Sequence, residues 1–124
     1  MKGIKKTIVL GATTNTARYA YQAAQMLTER DYEMVPVGIK KGTIFGEMIL
    51  DLRKKAVVED VDTITIYIGE KNQLEWHDYI LGLKPKRIIF NPGAENPTLE
   101  LLAQKEGIET LNACTLVMLS GGNY

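Results

Sequence analysis

Short apolar runs, rich in β-branched residues, recur along this sequence and alternate with stretches in which apolar residues return at helical spacing. Runs of this kind are typical of strands that are buried in a sheet. The second run contains Pro36, which has no backbone hydrogen-bond donor, so we expect a defect in that strand. The predicted strands span residues 7–10, 33–38, 63–68, 87–90 and 108–111.

Three of the intervening segments have the pattern of helices. Over residues 16–30, alanines and a leucine recur at helical spacing, and Asn15 or Thr14 is positioned to cap the helix. Residues 71–83 place apolar side chains near one helical face until a proline ends the segment. A third helix is predicted to begin with Pro97, because proline is tolerated in the first turn of a helix.

Three other segments are less regular. Residues 39–48 have a glycine near each end and no clear period, which predicts a long loop. Residues 51–56 predict a short helical turn. The apolar segment 114–119 must pack on the body of the protein, and its pattern fits a helix and a strand equally well.

Strands and helices that alternate in this order predict an α/β fold. We expect one Rossmann-like, three-layer domain over residues 1–124, with an open, mostly parallel sheet of about five strands. A chain of 124 residues has the length of one domain with one core. Ligands of such sheets bind beyond the carboxyl ends of the strands, beside the first strand, so the strand-ending turns are the candidate sites.

The charge balance excludes some classes of partner. Fifteen basic residues offset fifteen acidic ones, which argues against binding nucleic acid or an anionic membrane. No apolar run approaches the roughly 20 residues that cross a bilayer. A single cysteine and a beginning without the pattern of a signal peptide predict a cytoplasmic protein. We expect no metal site, because no histidine and cysteine cluster has ligand spacing.

The turn after the first strand has the features of an anion site. Backbone N–H groups and the positive end of the helix dipole point into such a turn, and threonine hydroxyls and an asparagine amide add donors. The guanidinium of Arg18 can form a bidentate pair of hydrogen bonds with a phosphate. Alternatively, the polar residues only cap the helix and Arg18 is solvated. The predicted phosphate-binding residues are Gly11, Ala12, Thr13, Thr14, Asn15, Thr16 and Arg18.

The end of the second strand bears on which nucleotide binds. NAD-binding domains carry an acidic residue there to hold the ribose hydroxyls. This chain has Gly38 and, shortly after it, Lys40 and Lys41, which suit an additional phosphate on the ribose, as in coenzyme A or NADP. The alternative is that both lysines are solvated at a loop tip.

These residues together give the chain a resemblance to small stand-alone coenzyme A-binding proteins, relatives of the CoA-binding domain of the succinyl-CoA synthetase alpha subunit. Segments 35–42 and 91–96, Gly46 and the stretch from Gly107 to Cys114 resemble the same family. The first turn of the family has the pattern G-A-S-x-N-P-x-R-x-S. The corresponding residues here are Gly11, Ala12, Thr13, Asn15, Thr16, Arg18 and Ala20. This chain departs from the pattern at three positions, with threonine for serine at 13, threonine for proline at 16 and alanine for serine at 20.

The resemblance implies a cytoplasmic Rossmann-type domain that binds coenzyme A, often without an assigned reaction. We expect non-catalytic binding of coenzyme A or an acyl-CoA by a monomer or weak homodimer. Ligase chemistry in the synthetase relative needs a phosphorylated histidine. The one histidine here, His77, lies inside a predicted helix, where we expect it on the surface. Cys114 has no charged neighbour in the sequence that would activate its thiol, which predicts a buried structural cysteine.

Other function classes remain open from the residues themselves. One is an enzyme, either an NADP-dependent oxidoreductase-like domain or an acyl-transfer or redox catalyst built on the thiol of Cys114. Another is a protein-interaction domain that has lost its ligand, which only the apolar segment 114–119 supports. The absence of a recognisable catalytic set favours a binding module.

Overall fold

The computed structural model describes residues 4–124, and its centre is a parallel sheet of six strands. The first strand lies in the middle of that sheet. Two further short strands form a separate antiparallel hairpin. In chain order the strands are β1 (Ile4–Leu10), β2 (Tyr32–Gly38), β3 (Thr43–Ile44), β4 (Glu47–Met48), β5 (Leu50–Asp51), β6 (Thr63–Ile66), β7 (Arg87–Phe90) and β8 (Glu109–Asn112).

The helices cover both faces of the sheet, which confirms the predicted three-layer α/β fold. They are α1 (Tyr19–Glu29), α2 (Glu70–Gln73), α3 (His77–Gly82), α4 (Pro97–Lys105) and α5 (Thr115–Ser120), with 3-10 turns at Leu52–Lys54 and Leu74–Trp76. Helices α1 and α5 and the β3–β4 hairpin pack on one face, and α3 and α4 pack on the other.

The strand order is β5-β2-β1-β6-β7-β8, so β1 is flanked by β2 on one side and by β6 on the other. Alternate side chains of β1 enter opposite cores, with Ile8 and Leu10 in one and Val9 in the other. The four residues of β7 are all buried, as expected for a strand that is covered on both faces. The chain therefore leaves β1 at the centre of the carboxyl edge of the sheet.

The second strand is continuous, contrary to the expected defect. Pro36 lies within β2 in register with Val9 of β1. On its other side β2 pairs with β5 only at Val37 and Gly38, so the proline lies outside the paired stretch there. A missing donor on a side without a partner strand does not interrupt the sheet. The two-residue β5 also explains why the sheet has six strands rather than about five.

Residues 39–48 are not an open loop, because β3 and β4 form a hairpin within them. The two residues between these strands, Phe45 and Gly46, have positive φ angles of 50° and 82°, the backbone pattern of a two-residue hairpin turn. Phenylalanine is unusual in that conformation. Its ring packs against Tyr21 of α1, with ring centroids 5.0 Å apart.

The segment predicted as one helix over residues 71–83 is helical but interrupted, because it consists of α2, a 3-10 turn and α3. Leu74, an apolar position of the predicted helix, is 71% exposed, whereas the preceding Gln73 is fully buried. The amide of Gln73 points inward to hydrogen-bond two backbone carbonyls. Gln73 is therefore buried at a place where the apolar pattern predicted that Leu74 would be buried.

The apolar segment 114–119, whose pattern fitted a helix and a strand equally well, forms helix α5. It packs against α1 and buries Leu119, while Val117 faces outward. No helix in the described part of the chain has the length and apolarity needed to cross a membrane.

Candidate functional site

A cleft of about 1100 Å³ runs along the carboxyl edge of the sheet, over the ends of β2, β1, β6 and β7. We divide it into two halves. The first-turn half is lined by Gly11, Ala12, Thr13, Thr14, Asn15, Arg18, Tyr19, Ala20, Gly38, Ile39, Lys40, Lys41, Leu52 and Arg53. The distal half is lined by Tyr67, Ile68, Gly69, Asn72, Glu75, Trp76, Pro92, Gly93 and Ala94.

The first turn is anchored to the end of β2. The backbone N–H groups of Gly11 and Ala12 both donate to the carbonyl of Val37, at 2.8 and 3.1 Å. Gly11 has a φ of 98°, and a Cβ there would lie 3.1 Å from Cγ1 of Ile68, so the turn requires a glycine. These contacts hold the chain at the centre of the cleft before α1 begins.

Helix α1 begins at Tyr19, and neither Asn15 nor Thr14 caps it, contrary to the prediction. The Asn15 side chain accepts from Ala17 N–H at 3.0 Å, and the Thr13 hydroxyl accepts from Asn15 N–H at 3.1 Å. Both side chains therefore stabilise the turn itself. Arg18 occupies the cap position without a side-chain cap bond.

The start of α1 has free donors on the side of the cleft. Within residues 4–124, the backbone N–H groups of Tyr19 and Ala20 donate to no protein acceptor. Both residues line the cleft, and the side chain of Arg18 is exposed beside them. Free N–H groups at a helix start and an unpaired guanidinium form a local environment that favours an anion.

The second wall of the first-turn half passes very close to the first turn. A Cβ on Gly38 would lie 2.7 Å from the carbonyl oxygen of Ala12, and a side chain on Gly42, whose φ is 146°, would collide with Cγ2 of Thr14. Glycine is needed at both positions for this approach. The close packing sets Lys40 and Lys41 at the exposed rim of the cleft.

All but one of the residues predicted for the site line this cleft. The exception is Thr16, which is exposed and lies outside it. The prediction missed Arg53, which reaches the cleft because the short β5 brings its 3-10 turn alongside β2. Arg53 also donates from Nε to Oδ1 of Asp51 at 3.2 Å, and this hydrogen bond lowers the pKa of that carboxyl.

None of the distal-half residues was among the predicted site residues, although segment 91–96, which includes Pro92, Gly93 and Ala94, resembles the family. The walls of this half are joined by the side chain of Gln73. Nε2 of Gln73 donates to the carbonyls of Ile68 and Ala94, both at 2.7 Å. Ile68 follows β6 and Ala94 follows β7, and both line the cleft. One fully buried amide thus fixes the turns after two adjacent strands relative to each other.

Asn96 and His77 complete this hydrogen-bond network. Oδ1 of Asn96 accepts from Leu99 N–H at 3.0 Å and caps α4, so Nδ2 is the donor that faces Oε1 of Gln73 (2.9 Å) and Nε2 of His77 (3.0 Å). The Nε2 atom must therefore accept. His77, which we expected on the surface, is only 9% exposed, because its imidazole is the acceptor that the buried amide needs.

A second buried network connects the end of β7 with α5. Nδ2 of Asn91 donates to the Thr65 hydroxyl at 2.7 Å, and its Oδ1 accepts from Thr115 N–H at 2.8 Å. The Thr65 and Thr115 hydroxyls are themselves 2.7 Å apart. This network fixes the start of α5 beneath the carboxyl edge of the sheet.

The Tyr67 hydroxyl lies near this network without joining it. Among the residues that the structure describes, it and one nitrogen of the Arg87 guanidinium are the buried side-chain polar atoms with no hydrogen-bond partner. The hydroxyls of Thr65 and Thr115 are close to the phenol but bond to each other. Burial raises the pKa of Tyr67 to about 12, so the phenol keeps its proton at neutral pH.

Cys114 precedes α5 and is half-buried, less enclosed than we expected. It does not line the cleft. Over residues 4–124, no group of three or more histidine, cysteine, aspartate or glutamate side chains is arranged to hold a metal ion. The first-turn half of the cleft thus offers backbone N–H donors and cationic side chains, and the distal half has walls held by side-chain amide hydrogen bonds.

Comparisons with known proteins agree with this architecture. The sequence profile of a family described as "CoA binding domain" matches residues 5–120. A crystal structure of an uncharacterized protein is 51% identical, with a TM-score of 0.94 over 99% of this chain and 100% of that one. A search of the curated proteins gave no match.

More distant structures share the fold. A hypothetical protein from Pyrococcus horikoshii OT3 is 20% identical, with a TM-score of 0.81 over 94% of this chain and 82% of that one. A protein from Thermus thermophilus described as cell-free ID.343 is 21% identical, with a TM-score of 0.78 over 97% of this chain and 91% of that one. These likenesses confirm the α/β architecture.

Proposed function

Because the chain belongs to the CoA-binding domain family, we propose that it binds coenzyme A or an acyl-CoA in the cleft and catalyses no reaction of its own. The diphosphate lies at the first turn, against the start of α1. The nucleotide occupies the first-turn half, and the pantetheine arm extends into the distal half.

The free N–H groups of Tyr19 and Ala20 are the observation that carries this proposal. Unpaired donors at the start of an 11-residue helix are stabilised by an anion, and the helix dipole adds to the attraction. The guanidinium of Arg18 stands beside them with no carboxylate partner within the described chain. A diphosphate satisfies both the backbone donors and the arginine.

The lysines of the opposite wall favour a nucleotide with an extra phosphate. Lys40 and Lys41 line the cleft after β2, at the position where an acidic residue would hold the ribose of NAD. Coenzyme A and NADP both carry a phosphate on the adenosine ribose. Family membership favours coenzyme A between the two.

Two features support binding without catalysis. The Nε2 atom of His77 is committed to accepting a hydrogen bond from Asn96, in a buried position away from the cleft lining. Cys114 also lies outside that lining. A nucleophile or general base has to reach the substrate, and neither side chain is placed to do so.

Titration of the purified protein with coenzyme A, NADP and NAD tests the proposal. We expect affinity to fall in that order, because the lysines attract the additional ribose phosphate. Among the described lining residues of the first-turn half, none is an acidic residue that would bind the free hydroxyls of NAD. Isothermal calorimetry at low salt measures all three ligands under one condition. NAD that binds as tightly as coenzyme A, or more tightly, contradicts the proposal.

A further inference from the structure

The distribution of charge along the cleft carries a further inference about the acyl group. We propose that the distal half selects CoA thioesters whose acyl group has no negative charge, and that Glu75 is the residue responsible for excluding carboxylated acyl groups. This inference rests on the proposed function and deepens it.

The direction of the ligand follows from the strand order. β1 lies between β2 and β6, and the phosphate position lies at the end of β1. The cationic wall after β2 takes the phosphate-bearing nucleotide, so the pantetheine arm has to leave the first turn on the opposite side, towards β6 and β7. The thioester and its acyl group therefore lie in the distal half of the cleft.

The charged side chains of the cleft are segregated between its halves. Every lysine and arginine among the described lining residues belongs to the first-turn half, namely Arg18, Lys40, Lys41 and Arg53. Glu75 is the single charged side chain of the distal lining within residues 4–124. A carboxylate at the end of an acyl chain would meet this glutamate and no cation in that half.

The other contacts of the distal half suit an apolar group. Trp76 and Ile68 are half-buried, Ala94 is buried, and Pro92 is exposed at the rim. Burial of methylene and methyl groups against such side chains is favourable, whereas a carboxylate loses hydration there without gaining a partner. Apolar contact and repulsion by Glu75 thus both favour an uncharged acyl group over one that carries a carboxylate.

The backbone of the distal wall is held by buried hydrogen bonds, and its described lining contains no cation. The turns that carry Ile68 and Ala94 are joined through the buried amide of Gln73, at 2.7 Å to each carbonyl. Lys71, on the neighbouring helix α2, does not line the cleft. Among the described lining residues of the distal half, Glu75 is therefore the charge that an incoming acyl group encounters.

Butyryl-CoA and succinyl-CoA test the inference, because their acyl chains have the same length and end in a methyl group and a carboxylate, respectively. At low salt we expect succinyl-CoA to bind roughly three- to tenfold more weakly than butyryl-CoA, with free coenzyme A as the reference. Glu75→Gln should reduce the ratio of the dissociation constants of succinyl-CoA and butyryl-CoA by about twofold or more, since it removes the charge and keeps the shape of the side chain.

Glu70→Gln is the matched control, because Glu70 is also exposed and close in sequence but does not line the cleft. It should leave this ratio unchanged. Succinyl-CoA that binds the parent as tightly as butyryl-CoA overturns the inference while coenzyme A binding still upholds the proposed function. If Glu75→Gln leaves the difference in affinity between butyryl-CoA and succinyl-CoA unchanged, the proposed role of Glu75 is wrong. If none of the three CoA compounds binds, the proposed function fails and this inference fails with it.

Discussion

The two halves of the cleft are built in different ways. In the first-turn half, several exposed polar side chains come from residues that are close in sequence, such as Thr14, Asn15 and Arg18. In the distal half, the surface is supported from below by buried side chains whose partners lie far apart in the chain. Gln73, for example, bonds to a carbonyl 21 residues away.

This difference separates ligand binding from stability. Exposed cations contribute little to the folded state but strongly attract a phosphate. Buried amides contribute to the folded state, because each would leave unpaired groups behind if it were removed. We therefore expect substitutions in the two halves to affect different measurements, and three variants test this in order of decreasing effect.

Gln73→Leu should have the largest effect. It keeps much of the side-chain volume, but it leaves the carbonyls of Ile68 and Ala94 without this donor and removes one of the acceptors of Asn96 Nδ2. We expect a cost of about 2–5 kcal/mol in the free energy of unfolding. Urea denaturation measures this loss. Because the first-turn half is untouched, affinity for ADP should change less than affinity for coenzyme A.

Gln25→Leu is the control, since Gln25 is exposed on α1 and bonds only to the side chain of Glu29. It should change the free energy of unfolding by about 0.5 kcal/mol or less. Equal losses for coenzyme A and ADP in the Gln73 variant would mean that the two halves are not separable.

Arg18→Ala should produce the converse result. A charge-assisted hydrogen bond contributes about 1.5–3 kcal/mol, so coenzyme A should bind at least about tenfold more weakly at low salt. The side chain is exposed, so the melting temperature should remain nearly unchanged. Added salt should reduce the difference from the parent, because exposed charges are screened.

Arg30→Ala provides the comparison, because Arg30 is an exposed arginine at the opposite end of α1, outside the cleft lining. Its loss should leave binding intact. If Arg18→Ala binds coenzyme A like the parent, the phosphates are held by backbone N–H groups or by the lysines of the opposite wall.

Tyr67→Phe should have the smallest effect, and it should be stabilising. Removing a buried hydroxyl without a partner should raise the free energy of unfolding by about 1 kcal/mol. Tyr124→Phe makes the contrast, since the Tyr124 hydroxyl lies 2.6 Å from that of Thr7. That variant should lose a similar amount of stability.

The same tyrosine gives a signature at alkaline pH. Burial raises the pKa of Tyr67 from 10.0 to about 12, so between these values the unfolded chain has released this proton and the native protein has not. The free energy of unfolding of the parent therefore falls as the pH rises through this interval. Thermal unfolding of Tyr67→Phe should show a smaller decline over that range than the parent, and an equal decline would place the effect elsewhere.

Most residues that line the first-turn half could be named from the sequence, because the information for this turn is local. A strand, a glycine, hydroxyl side chains and an arginine in succession predict an anion-binding turn without knowledge of the rest of the fold. The mistaken cap shows the limit of this reasoning. The side chain of Asn15 bonds within the turn rather than to the start of the helix, and only the backbone path decides between these two partners.

The distal half could not be predicted because its partners are distant in sequence. A hydrophobic pattern assigns Leu74 to the interior and Gln73 to solvent, whereas the structure has the reverse. The reversal depends on two carbonyls that become neighbours only when β6 and β7 pair. For the same reason His77, alone in a helical stretch, gives no sign in the sequence that it meets a buried asparagine.

Trp76 gives the molecule an internal optical reporter. It is the single tryptophan in the sequence, it is half-buried, and it lies in the wall of the distal half, on the opposite side of the cleft from the lysines. All indole fluorescence of the protein therefore originates at the place where the thioester is proposed to lie. Emission can follow how far a ligand extends along the cleft, with no label attached.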